Sequence, residues 1–309
     1  PVASEAPFLA SLATGRHPIT AGFPATTVTS LAALGTGTYP GEHGLVGYTF
    51  AEGGVLLNAL GWHRHGEGRP TDLRDRIVPE RFQPRGTTFE RAADAGVAVH
   101  VVAPREQRRS GLTRAVLRGG RFRGVHALGD LTGTALAALR GDDRVFCYAY
   151  HADLDGLGHV YGPGSDPWRY QLAHVDHVAE AIADGLPEDG MLVVTADHGM
   201  VAVTEQDRVD LDTDPALRDG VRLLGGEARV RYVYTEPGAT DDVARAWARR
   251  LGDRAWIARR DEAIDAGWFG PHVAEQVRPR IGDLVVAARG SLALVRSIDA
   301  RYLQIGFLG

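Results

Sequence analysis

Apolar and polar positions along this chain fall into short blocks whose period changes from one block to the next. Residues 97–102, 144–150 and 191–195 are β-branched or apolar runs of strand length, which predicts buried strands of a parallel sheet. Helical character marks residues 7–13, 28–34 (closed by Gly35 and Gly37), 88–95 and 132 to 139. A longer helix opens at Asp166-Pro167, with Asp as the cap and Pro in the first helical position, and runs to Ala183. Residues 19–22 read as a short strand. Further on, 230–234, 241–251, 255–258 and 283–288 repeat the alternation of strands and helices. Such alternation defines an α/β fold, a mainly parallel central sheet with helices on both faces. Residues 1–309 are read as one domain, with an insertion at about 45–85 where periodicity is weak and 61–66 forms a loop or hairpin.

In open α/β sheets, function gathers at the carboxyl ends of the strands. Two segments lie there: Asp155-Gly-Leu-Gly-His159, and Asp197-His198-Gly199-Met200. Carboxylate oxygens and imidazole nitrogens are zinc-type ligands. Asp155 and His159 would share one face of a helix, but Gly156 and Gly158 argue for a loop folded round an ion. Adjacent residues in a strand point oppositely, so Asp197 and His198 converge only where the backbone turns, which Gly199 permits. Asp153 lies close by without a defined place. A third segment, Phe23 to Ser30, carries Thr26 and Thr27 at a predicted helix start, where a hydroxyl either caps the helix or faces a bound phosphate.

Other histidines are read more blandly. His43 is a loop hydrogen-bonder, His174 and His177 belong to a solvated helix face, and His63 and His65 could reach substrate from the insertion. Cys147 is alone inside an apolar strand and reads as a small core residue, which excludes a disulfide within the chain.

Bulk properties narrow the chemistry. Every basic side chain is Arg, which removes Schiff-base or P-loop lysine mechanisms and, with the heavy Ala and Gly usage, points to a GC-rich, bacterial genome. The net charge of −5 comes with no basic stripe, so no nucleic-acid groove is indicated. No apolar run is long enough for a membrane span, and without a signal-peptide pattern a cytoplasmic location is expected.

Taken together, the motifs resemble the type I phosphodiesterase/nucleotide pyrophosphatase branch of the alkaline phosphatase superfamily. The stretch from Phe23 to Gly44 is similar to that family's nucleophile segment. The resemblance implies that Thr27 attacks phosphorus and ligates one of two zinc ions together with Asp197 and His198. Asp155 and His159, followed by Tyr161-Gly162-Pro163, would hold the other. It implies a small-molecule phosphodiester or nucleotide substrate and a phospho-threonine intermediate. Rivals are a phosphomonoesterase, phosphonate or sulfate ester hydrolase of the same superfamily, or a ligand-binding member with incomplete metal sites.

Three departures accompany the resemblance. An early Asp-Gly and a late His-Gly, each a zinc ligand in the family, are absent, for which truncation at both ends is the simplest account. Tyr48 stands where many members have an Asn that holds a nonbridging phosphate oxygen, so either its hydroxyl substitutes or the substrate binds differently.

Overall fold

Residues 3–13, 19–66, 68–141 and 144–297 are described by a computed structural model. Helix α1 (Pro7–Ala13) is tied down by a carboxylate at its amino end: Phe8 and Leu9 N–H donate to Asp176 at 3.3 and 2.7 Å. Residues 19–22 are irregular rather than a strand, with Ile19 89% exposed, so nothing there drives pairing. Helix α2 (Thr27–Thr36) ends at Gly37, whose left-handed φ of 71° lets its N–H bond Ala33 O at 2.8 Å.

After α3 (Pro40–His43), the weakly periodic segment builds its own sheet. Strands β1 (Thr49–Glu52), β2 (Val55–Asn58) and β3 (His63–Arg64) pair antiparallel in that order, followed by α4 (Pro79–Phe82). Trp62 anchors this unit: it is fully buried, and its indole N–H donates to Ile77 O at 2.7 Å.

Helix α5 (Thr88–Asp94) starts on a capping box in which Glu90 N–H donates to Thr87 Oγ1 at 2.9 Å and Thr87 N–H to Glu90 Oε2 at 2.8 Å. It feeds the parallel sheet: β4 (Ala98–Pro104), α6 (Gly111–Val116), β5 (Arg121–Val125), α7 (Leu128–Leu139) and β6 (Val145–Ala149), in strand order β5-β4-β6. Alternation along β4 explains the two covered faces. Val99, Val101 and Ala103 join Val28, Leu31, Phe89 and Leu112 on one side, while Val102 packs with Leu131, Ala135 and Ile182 on the other.

From β6 the chain enters α8 (Asp153–Tyr161) and then α9 (Asp166–Asp184). Ser165 takes the cap position of α9, displacing the expected Asp166 by one residue, because Pro167 is equally tolerated at the second helical position. His174 and His177 are exposed on α9. Residues 191–195 join no ladder among the described residues, contrary to the sequence reading. Their composition suits a strand, but a strand also needs a neighbour to bond. Only Leu192 packs inward, while Met191 and Val193 stand 82% and 69% exposed.

The second alternation of elements gives a different sheet. It comprises β7 (Arg208–Asp210), β8 (Val221–Gly226), β9 (Val230–Thr235), α10 (Thr240–Leu251), β10 (Ala255–Arg259), α11 (Arg260–Asp265), β11 (Leu284–Ala288) and β12 (Ala293–Val295). Four of these strands pair antiparallel in the order β10-β11-β9-β8, and β12 pairs with β7 in parallel. Trp247, Val243 and Leu251 of α10 fill its core with Val233, Leu284 and Val286.

Gly35, expected as the stop of α2, lies inside it at the contact with α6. A Cβ there would sit 1.9 Å from the Val116 carbonyl oxygen, so only glycine allows this approach. Gly35→Ala is expected to cost about 1–3 kcal/mol through overpacking against backbone. Urea unfolding reads this as a lower midpoint at unchanged m-value.

Candidate active site

The amino end of α2 decides between the two threonines. Thr26 sits in the cap position in extended conformation, yet its side chain makes no capping bond. Thr27 is the first helical residue and half-buried, and its hydroxyl turns away from the helix to His198 Nε2, 3.2 Å distant. The first N–H groups of α2 therefore have no side-chain cap, and an uncapped helix start carries partial positive charge.

His198 makes a second contact: its Nδ1 lies 2.8 Å from Gly199 O, an acceptor only, so Nδ1 carries a proton. Its Nε2 faces the Thr27 hydroxyl. Around that nitrogen stand Asp155 Oδ1 and Asp197 Oδ2, each at 3.8 Å. His198 N–H also donates to Asp197 Oδ1 at 3.1 Å, which fixes the turn. The His198 side chain is only 5% exposed.

Asp155 and His159 reach this place from α8, so the expected loop is a helix. Their spacing of four residues puts Oδ1 and Nε2 3.2 Å apart on one face. Gly158, which spoke against a helix, is there for packing. A Cβ on it would lie 2.3 Å from Met200 Sδ and 3.3 Å from the Trp168 ring. Its absence leaves room for the Met200 side chain, two residues after His198, against α8. Asp155 Oδ1 is shut from solvent. Burial pushes the Asp155 carboxyl up, but the hydrogen bond and charge of His159 and the charge of His198 outweigh this and hold it below its ordinary value.

Donor type suits a divalent cation. Ligand atoms on a tetrahedral zinc, with bonds of about 2.0–2.2 Å, lie about 3.3 Å from one another. The Thr27–His198 and Asp155–His159 separations of 3.2 Å, and those of 3.8 Å from His198 to Asp155 and to Asp197, are of that size. A ligating imidazole ordinarily donates its second N–H to a carbonyl, as His198 does to Gly199. Among the described residues, no group of three or more His, Cys, Asp or Glu is already arranged about one centre.

Asp153 apart, the remaining candidates lie on other segments. Tyr48 is half-buried immediately before β1, its ring edge-on to His65 at 6.3 Å. His65 is buried and His63 Nδ1 bonds Arg64 O at 2.9 Å. His43 is a buried hydrogen-bonder, accepting from Leu45 N–H at 3.1 Å, and burial drives its pKa down to about 3. Asp153 pairs loosely with His151 at 3.9 Å. Cys147 is half-buried and burial raises its thiol to about 11, consistent with a packing residue. Tyr150, not singled out from sequence, adjoins the cluster: burial, then the charges of Asp197 and Asp155, push its phenol up to about 12. Its signal was the alternation of Phe146, Tyr148 and Tyr150 towards the carboxyl end of β6.

Comparison with known proteins defines the fold and the family. A phosphonoacetate hydrolase from Sinorhizobium meliloti 1021, solved with phosphonoacetate, superposes with a TM-score of 0.67 at 19% identity, covering 95% of this chain and 77% of the other. Murine ectonucleotide pyrophosphatase/phosphodiesterase 5, in an inactive form with AMP, gives 0.63 at 16% identity, covering 94% and 73%. The architecture is thus the alkaline-phosphatase-like α/β fold. Residues 2–306 match the family model of type I phosphodiesterase/nucleotide pyrophosphatase, and the chain belongs to that family. Among curated proteins, phosphopentomutase of Anaeromyxobacter dehalogenans is 30% identical over 178 residues, 56% of this chain. The chain spans 42% of that relative's length. No helix among the described residues is long and apolar enough to cross a membrane.

Proposed function

We propose that this protein hydrolyses phosphodiester or pyrophosphate bonds of small molecules, nucleotides among them, with Thr27 as nucleophile. The observation that carries the reading is the Thr27 hydroxyl held 3.2 Å from Nε2 of His198, at an uncapped helix start beside two carboxylates. A hydroxyl so placed belongs to one cluster with imidazole and carboxylate donors, and the α2 N–H groups face where phosphate oxygens would lie.

In the first step, Thr27 Oγ forms a bond to phosphorus as the bond to the leaving alcohol or nucleotide breaks, and the proton given up by the Thr27 hydroxyl passes through solvent to the leaving oxygen. Water then attacks the phospho-threonine from the vacated side, releasing the monoester and restoring the hydroxyl. Two zinc ions, one held by Thr27, Asp197 and His198 and the other by Asp155 and His159, would supply the charge that lowers the hydroxyl pKa and neutralises the phosphate. Tyr48 would hold a nonbridging oxygen through its hydroxyl.

Substrate class and metal dependence are tested together. Bis-p-nitrophenyl phosphate turnover at mildly alkaline pH is expected to exceed that of the monoester, of phosphonoacetate and of p-nitrophenyl sulfate. Chelation with EDTA is expected to abolish it, and zinc to restore it. Faster monoester or phosphonate cleavage would move the enzyme to a rival branch, and turnover indifferent to EDTA would remove the metal from the scheme. The phosphopentomutase relatives favour one second reading, transfer of phosphate between positions of a pentose. Interconversion of pentose 1- and 5-phosphates without phosphate release would establish it.

A further inference from the structure

We propose that Tyr232 is a positioning residue of this site, its hydroxyl fixing the segment that carries Tyr48 and its ring bracing the segment that carries Thr27. The inference rests on the reading above and adds the residue that sets these two segments against each other.

Tyr232 lies in mid-β9 and is fully buried. Its hydroxyl donates to the carbonyl of Val46, two residues before Tyr48. Its ring lies 6.3 Å from Phe269, which lies 5.6 Å from Phe23, and Trp268 meets Phe23 from the same loop at 5.0 Å. Phe23 is four residues before Thr27. Gly47, next to Tyr48, faces both Tyr232 and the Thr27 segment: a Cβ on it would fall 3.4 Å from the Tyr232 ring and 3.5 Å from Pro24 Cγ.

Neighbouring bonds hold the same stretch. Arg280 Nη1 donates to Gly44 O at 2.9 Å, Thr29 Oγ1 on α2 to Leu45 O at 3.4 Å, and Ala59 N–H to Tyr48 O at 2.9 Å. A stretch gripped at successive carbonyls cannot slide, and displacements near 1 Å matter to a reacting group. Burial keeps the Tyr232 phenol well above its ordinary pKa, so it remains a donor at any working pH. Tyr234, two residues on and on the same face of β9, provides a matched control: its hydroxyl donates to Arg280 O and accepts from Ala51 N–H at 2.9 Å, outside the Tyr48 segment.

The test is steady-state kinetics on bis-p-nitrophenyl phosphate, with thermal midpoints, for Tyr232→Phe, Tyr234→Phe, Tyr48→Phe and the Tyr232→Phe/Tyr48→Phe pair. Tyr232→Phe is expected to raise KM roughly three- to tenfold at nearly unchanged kcat, and to add nothing in the Tyr48→Phe background. Tyr234→Phe is expected to lower the thermal midpoint comparably while leaving KM alone. Equal KM shifts in both tyrosine variants, additive losses in the pair, a fall in kcat alone, no change, or failure of Tyr232→Phe to fold would each overturn the proposal. Thr27→Ala separates the two levels: if its turnover equals wild type, the functional reading fails. If turnover needs Thr27 but Tyr232→Phe leaves KM unmoved, only the positioning role fails.

Discussion

Thr27→Ala is expected to lower phosphodiester turnover by about a thousandfold or more, because it removes the attacking atom and no neighbour replaces it. The fold should hardly notice. Thr27 is half-buried, and the change gives up one hydrogen bond, worth about 1 kcal/mol. Thr26 is no substitute: it occupies the cap position, one residue outside the helix, and makes no capping bond. Thr27→Ser keeps the oxygen and should retain a measurable part of the rate. Turnover numbers and unfolding midpoints of the two variants, measured side by side, check this. An alanine variant as active as the parent would assign the chemistry to another group.

The largest expected stability effect lies away from the site, at Trp62. Its indole is fully buried, donates to Ile77 O at 2.7 Å, and leans so closely on α6 that a Cβ at Gly111 would lie 2.1 Å from the ring. Phe82 meets it edge-on at 5.5 Å. Trp62→Ala would leave a void bounded by Phe82 and α6 and strand a buried carbonyl, a loss of about 3–5 kcal/mol. Denaturant unfolding measures it. A loss below about 1 kcal/mol would mean that the β1–β3 unit is not held to the core through this side chain.

Legibility in the sequence depended on whether a feature was local. β4 was readable because a central parallel strand covered on both faces needs a continuous β-branched run, whereas β6, read as buried, lies at the edge of the described sheet with no buried residue. α8 was misread because glycine propensity argued against a helix, whereas Gly158 answers to Met200, some forty residues away in sequence. Residues 191–195 have strand composition but no described ladder partner, which composition cannot supply. The antiparallel pairing of β8 with β9 depends on the tight connection at Glu227–Arg229, and the strand period alone does not report direction. Thr27 and His198, 171 positions apart, could be proposed as neighbours only through the family resemblance, and the contact between them is a tertiary fact.

The central claim is double displacement through Thr27, and the stereochemical course at phosphorus tests it most directly. A phosphorothioate diester of known configuration, cleaved in isotopically labelled water, is expected to give a product of retained configuration, since two in-line steps each invert. Net inversion would mean that water attacks the substrate directly, and the threonine nucleophile would have to be abandoned.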